Sequence, residues 1–106
     1  MTSPRMTIPT QLMLRALVET DEAYGAELGG LTRLASGTVH PILARLEGIG
    51  WVVSRWEDID PGTEGRPARR YYRLTEEGRA QARAALDRAS RQVQVSPTLR
   101  LIRSDS

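Results

Sequence analysis

Along the chain, segments whose apolar positions repeat at helical spacing alternate with two short runs dense in β-branched and aromatic residues. Positions 1–8 carry no periodicity and read as a flexible terminus. From Pro9 to Thr20, Leu12, Met13, Ala16 and Leu17 recur as in a helix, with Pro9 suited to its first turn. The apolar arc is broad, as expected of a helix that faces both a core and a partner. Asp21 and Glu22 favour a helix start, so Ala23 to Thr32 reads as a second, shorter helix with Leu28 and Leu31 inward. Gly29 and Gly30 weaken it by about 1 kcal/mol each relative to alanine.

The third helix is the most informative. Ser36 reads as its N-cap, Gly50 ends it, and Val39, Ile42, Leu43, Leu46 and Ile49 form one side. At 100° per residue these five cover an arc of about 120°. The opposite arc holds Gly37, His40, Pro41, Ala44 and Gly48, flanked by Thr38 and Arg45. A solvated helix face normally carries Glu, Lys and Gln. This one is small and nearly uncharged, which suits a helix pressed against another surface such as a DNA major groove.

Trp51 to Trp56 and Arg70 to Leu74 then read as a two-stranded hairpin joined by the 13 residues Glu57 to Arg69, an exposed loop by its Pro61-Gly62, Gly65 and Pro67. Alternation puts Tyr72 and Leu74 on one face and Tyr71 and Arg73 on the other. Trp51 and Trp56 are expected in core and hairpin packing. Thr75 caps a final helix, with Glu76 and Glu77 in its first turn, that runs to about Val93. Its Ala82, Leu86, Ala89 and Val93 recur at spacings of four, three and four, the seam of a helix that packs on another helix. The residues from 96 to 106 read as a tail that either folds back on a dimer through Leu99, Leu101 and Ile102 or is disordered.

Composition narrows the choice of function. At 106 residues there is room for one small domain, and with no Phe and only five aromatics its core is thin, so a second subunit is expected to complete it. No apolar run approaches the roughly 20 residues that span a bilayer, and the start lacks a signal peptide's apolar core, so a cytoplasmic protein without a membrane partner is expected. Cysteine is absent and His40 is the single histidine, which leaves no partners for a catalytic or metal site. No enzyme, cofactor or metal is expected.

Net charge is only +2, but every one of the 15 basic residues is arginine, and their placement is uneven. Glu57 to Gly65 carries four acids and no base, whereas Arg66 to Arg73 carries four arginines and no acid. A local basic segment is the usual footprint of a phosphate-backbone binder.

The order helix, helix, helix, β-hairpin, helix is that of a mainly α winged helix, with helices two and three as a helix-turn-helix and the hairpin loop as a wing. Tyr24-Gly25, the run Ser36-Gly37-Thr38-Val39-His40-Pro41-Ile42-Leu43, Arg45-Leu46-Glu47, and Gly65-Arg66-Pro67 followed by Tyr71-Tyr72-Arg73-Leu74-Thr75 together resemble the PadR family of transcription regulators, from about Pro9 to Ala89. The resemblance is to its compact branch, which lacks a separate C-terminal domain. It implies a DNA-binding domain over 9–75, a dimerisation helix over 76–95, and a homodimer, usually a repressor, acting at a pseudo-palindromic double-stranded operator.

By that resemblance Tyr24 would hold a phosphate, Ser36, Gly37, Thr38, His40 and Arg45 would lie at the groove, and Arg66, Arg69 and Arg70 would grip the backbone or minor groove. The dimer would form through helix one, at Leu12, and through Ala82, Leu86, Ala89 and Val93. Two departures stand out: the family usually has Tyr where His40 stands and a small residue, often Gly, where Arg33 stands. No aromatic follows Tyr72, so the family's stacking platform for flat ligands is missing and any small-molecule effector is unknown. The other class open to this sequence is a winged-helix protein-interaction module whose neutral third helix docks a protein.

Overall fold

A computed structural model describes residues 4–94, with side chains to residue 91. Elements follow in the order α1 (Ile8–Glu19), β1 (Ala23–Tyr24), α2 (Gly25–Thr32), α3 (Ser36–Gly48), β2 (Val52–Trp56), α4 (Pro61–Glu64), β3 (Arg70–Leu74) and α5 (Glu76–Gln94). The winged helix expected from the sequence is present, with α2 and α3 as the helix-turn-helix.

Local chemistry sets the boundaries. The Thr7 hydroxyl accepts from the Thr10 amide and caps α1. Ahead of it Met6 packs on the core and Pro4 is buried, in a segment the sequence reads as loose. Helix α2 ends on Arg33, whose φ of 63° is left-handed and whose amide bonds the Gly29 carbonyl at 2.7 Å. The N-cap of α3 is Ala35, not Ser36, which is the first helical residue. Pro41 sits inside α3, where it withholds the amide that would bond the Gly37 carbonyl. Thr75 caps α5 as expected: its hydroxyl accepts from the Gly78 amide at 2.9 Å.

The sheet has three strands, in the order β1-β3-β2, and not two. Ala23 and Tyr24, expected to open helix two, instead pair with Tyr72 and Tyr71 as an antiparallel edge. The loop between β2 and β3 is also partly ordered. Asp60 accepts from the Gly62 amide and the Thr63 hydroxyl, folding Pro61 to Glu64 into the one-turn helix α4.

One core lies between helices and sheet. Met13, Leu14 and Leu17 of α1 meet Leu28, the Val39, Leu43 and Leu46 side of α3, and Val52, Tyr72 and Leu74 of the hairpin. Leu31, expected inward, is 61% exposed. The α3–β2 turn is locked to α5. Thr75 bonds the carbonyls of Gly50 and Trp51, and Gly78 lies so close to the Trp51 backbone that a methyl group there would collide with its carbonyl. Arg79 closes the fold by donating to the Val18 carbonyl at the end of α1. No helix is long and apolar enough to cross a membrane among the described residues, and none of their His, Asp and Glu side chains group as a metal site.

Candidate nucleic-acid interface

Burying Val39, Ile42, Leu43 and Leu46 turns the rest of α3 outward, so Ser36, Gly37, His40, Pro41, Ala44 and Arg45 are exposed and Thr38 is half-buried. The small, nearly neutral face read from the sequence is therefore exposed among the described residues. His40 leans on α2: a methyl group at Gly25 would come within 3.2 Å of its ring carbon Cε1. Glycine at position 25 lets the imidazole lie against the start of α2, which limits where the ring can point.

Gly25 follows Tyr24, and from Tyr24 the surface continues onto the wing. The Arg69 guanidinium lies over the Tyr24 ring, 4.4 Å from its centroid, a cation–π arrangement that keeps the charge at the surface and its direction fixed. The edge of Tyr24 meets Tyr71, ring centroids 5.6 Å apart. Between α2 and the wing runs an open cleft of about 390 Å³, lined by Tyr24, Ala26, Arg66, Pro67, Ala68 and Arg69. Tyr24 and the wing residues Arg66 and Arg69, all expected at a phosphate backbone, thus share one cleft although Tyr24 is distant from the other two in sequence.

Arg66 has a different occupation from the one expected. Its guanidinium donates to both oxygens of Glu57, at 2.7 and 3.0 Å, and to the Pro67 carbonyl at 3.2 Å. Glu57 also accepts from the Arg69 amide at 3.2 Å, while its own amide bonds the Arg69 carbonyl at 2.7 Å. These bonds hold the Glu57 carboxyl far below the usual range, from 4.5 to about 2, with the Arg66 hydrogen bonds as the largest cause. Glu57, at the start of the acidic half of the loop, thus supplies the post around which the wing closes.

Arg70 belongs to the other sheet face. Its Nε donates to Ser54 Oγ at 3.0 Å and its Nη2 to Glu47 at 3.3 Å, and Ser54 donates to Glu47 at 2.6 Å. Glu47 is in the last turn of α3, so this chain of bonds ties the outward-facing helix to both wing strands. In the sequence Glu57 is one of four loop acids, with Asp58, Asp60 and Glu64, open to pairing with these arginines, and Glu47 one residue of the Arg45-Leu46-Glu47 run; their roles depend on which arginine the fold brings to them. Trp56, expected to be packed, is 65% exposed, whereas Trp51 is buried. The alternation Val52, Ser54, Trp56 held the signal: one face of a strand that outruns the helices covering it.

The residues expected at a subunit contact separate in the same way. Leu12 is exposed on α1, beside exposed Ile8 and, across a shallow groove, Leu31. Ala82 is fully buried within its own chain, facing the core, and is removed from the expected interface. Leu86 packs partly on the core, Ala89 is half-buried, and the side chain of Val93, like the tail, lies outside those described.

The fold is shared with solved regulators. A PadR family transcriptional regulator from Eggerthella lenta matches with a TM-score of 0.66 and 28% identity, over 88% of this chain and 80% of that one. A disulfide form of AbfR matches with a TM-score of 0.66 and 26% identity over 89% of this chain, and overoxidized AbfR bound to DNA with a TM-score of 0.66 and 25% identity over 93%. The present chain spans 60% of the first AbfR chain and 68% of the second. Among curated proteins none matches. The model of the transcriptional regulator PadR-like family, a family of regulators and not of enzymes, matches residues 15–84, and the chain belongs to that family.

Proposed function

We propose that the protein is a cytoplasmic homodimer that binds double-stranded DNA at a pseudo-palindromic operator and represses transcription there. The observation that carries this reading is the continuous surface from the exposed face of α3, through His40 on Gly25, to Tyr24 and the Arg69 that lies over it. Ser36, Gly37, Thr38 and His40 enter the major groove, with Arg45 at its margin. Tyr24 and Arg69 hold a phosphate, and Arg70 a second on the sheet face to which α3 is tied. Arg66 serves through Glu57, by shaping the wing. The structure of AbfR bound to DNA is of a similar protein and supports the choice of partner.

Residues 9–75 form the DNA-binding unit and 76–95 the dimerisation helix. The dimer uses α1 at Leu12 together with α5 at Leu86, Ala89 and Val93. The exposed apolar groups Ile8, Leu12 and Leu31 support a partner at α1.

Selection from random duplexes tests the function directly. An enriched inverted repeat is expected, bound with an affinity that falls steeply as salt rises and with a slope flattened by Arg69→Ala and Arg70→Ala. Binding without sequence preference, or none, would overturn the reading and favour a protein-docking role for α3. Sedimentation of Leu12→Glu should show a monomer, and persistence of the dimer would exclude α1 from the interface.

A further inference from the structure

We infer that Trp56 is a contact for the sugar–phosphate backbone of DNA, placed between the major-groove helix and the wing. The inference rests on the DNA-binding reading and adds to it a residue that neither the sequence pattern nor the family match assigns.

The register of the hairpin fixes which way Trp56 faces. Val52 pairs with Leu74, Ser54 with Tyr72 and Trp56 with Arg70, so these six side chains share the core face of the sheet. Burial declines along that face: Val52, Tyr72 and Leu74 are buried, Ser54 is half-buried, and Arg70 and Trp56 are exposed. The hairpin extends beyond the helices that cover its base. The last element to reach the face is α3, through Glu47, which bonds Ser54 and Arg70. Trp56 therefore stands on the side of the wing that carries the DNA-facing helix, directly across the strand pair from Arg70, through which that helix is tied on.

Its chemistry narrows the occupant. An indole left 65% exposed presents on the order of 100 Å² or more of largely apolar surface with one N–H donor at its rim. The Arg70 guanidinium lies over the Trp56 ring, 5.7 Å from its centroid, and equally far over that of Tyr72. A flat apolar plate with a cation over one face and an N–H donor at its rim is complementary to a deoxyribose ring, packed on its other face, with its flanking phosphates. The sugar packs on the indole, one phosphate accepts from the indole N–H, and the neighbouring phosphate meets Arg70. Nearby acids set the limits of this patch. Glu47 is already engaged by Ser54 and Arg70, and Asp58 follows two residues later in the loop.

The two tryptophans make the test direct, because Trp51 is 4% exposed and Trp56 is 65% exposed. Acrylamide quenching of the wild-type protein then reports mainly on Trp56, and Trp56→Phe supplies the signal of Trp51 alone. Adding a selected duplex should lower the quenching constant of the wild type to near that of Trp56→Phe. Trp56→Ala should weaken binding of that duplex about tenfold while leaving the salt slope unchanged, since no charge is lost. Its thermal melting should match the wild type, because an exposed side chain carries little of the fold. Trp56→Phe should recover part of the affinity by keeping an apolar plate. A bound duplex with Trp56 still fully quenchable would overturn this inference and leave the DNA-binding reading intact. Protection that appears on raising protein concentration without DNA would overturn it too, giving the indole to a second copy. Absence of any duplex binding would remove both readings.

Discussion

Glu57 and Arg66 form a two-pronged ion pair across the base of the wing, with Nη1 to Oε1 at 2.7 Å and Nη2 to Oε2 at 3.0 Å. The same carboxylate accepts from the Arg69 amide, so one acid organises both the arginine it binds and the backbone that aims Arg69 over Tyr24. Two physical roles of Glu57 predict opposite signs. As a shield, its charge competes with phosphates for Arg66, and removing it raises DNA affinity. As a post, it sets the shape of the wing, and removing it lowers affinity even though a negative charge leaves the surface.

The bonds to the Arg69 backbone select the second role. Glu57→Gln is expected to weaken operator binding about threefold to tenfold, measured by fluorescence anisotropy at fixed salt. An increase in affinity would make Glu57 a shield and return Arg66 to the DNA contacts.

The same pair gives a pH dependence with a definite sign. The Glu57 carboxyl titrates near 2 in the folded wing against an ordinary value of 4.5, so the pair's contribution is fully present above 4.5 and is lost as pH falls toward 2. Carboxyl titration by NMR should find Glu57 still ionised at pH 3.5. In Arg66→Gln its midpoint should move back up toward 4.5, because the hydrogen bonds from Arg66 are the largest cause of the depression.

Much of this architecture was legible in the sequence wherever a period extended over several turns. The apolar side of α3, the alternation of Tyr71 and Tyr72 and the Thr75 cap all stand where expected. What escaped was set by partners distant in sequence. Ala23 and Tyr24 are a strand only because Tyr72 and Tyr71 lie beside them, and two residues have no period to read. Leu31 has the spacing of a core residue, but α2 is short and Leu31 stays 61% exposed among the described residues. Ala82 fits a seam between subunits as well as one within the chain, and small residues at helical spacing do not distinguish the two. The basic half of the wing was visible as composition, yet which arginine is held and which is presented depends on the positions of Glu47, Glu57 and Tyr24.

Gly78 shows how a glycine can go unnoticed in a pattern of helix formers. Its position in the first turn of α5 brings the helix backbone against the Trp51 carbonyl with no room for a side chain. Gly78→Ala is expected to cost about 2 kcal/mol or more and to lower the melting temperature by about 8 °C or more, seen by circular dichroism. Gly30→Ala is the control: nothing lies within 4 Å of the added methyl group, so helix propensity alone should act and the protein should gain up to about 1 kcal/mol.

Arg33 makes the converse case. A left-handed backbone at a residue with a Cβ costs roughly 1–2 kcal/mol, part of which glycine would give back through its greater freedom in the unfolded chain. Arg33→Gly is therefore expected to stabilise the fold by about 0.5–1 kcal/mol in denaturant melts. A loss of stability would mean that the Arg33 side chain makes a contribution larger than the strain.

Gly25 separates stability from recognition. An added methyl group would meet the His40 ring at 3.2 Å, and because the ring is the exposed end of a side chain it is able to swing aside at little cost to the fold. Gly25→Ala should therefore melt within about 0.5 kcal/mol of the wild type while changing the position of an imidazole on the exposed face of α3. If His40 reads a base edge, repeating the duplex selection with Gly25→Ala should alter preference at one position of each half-site and leave the others unchanged. An unaltered preference, together with an unaltered preference for His40→Ala, would show that the imidazole fills space beside α2 and that Ser36, Gly37 and Thr38 carry the sequence reading without it.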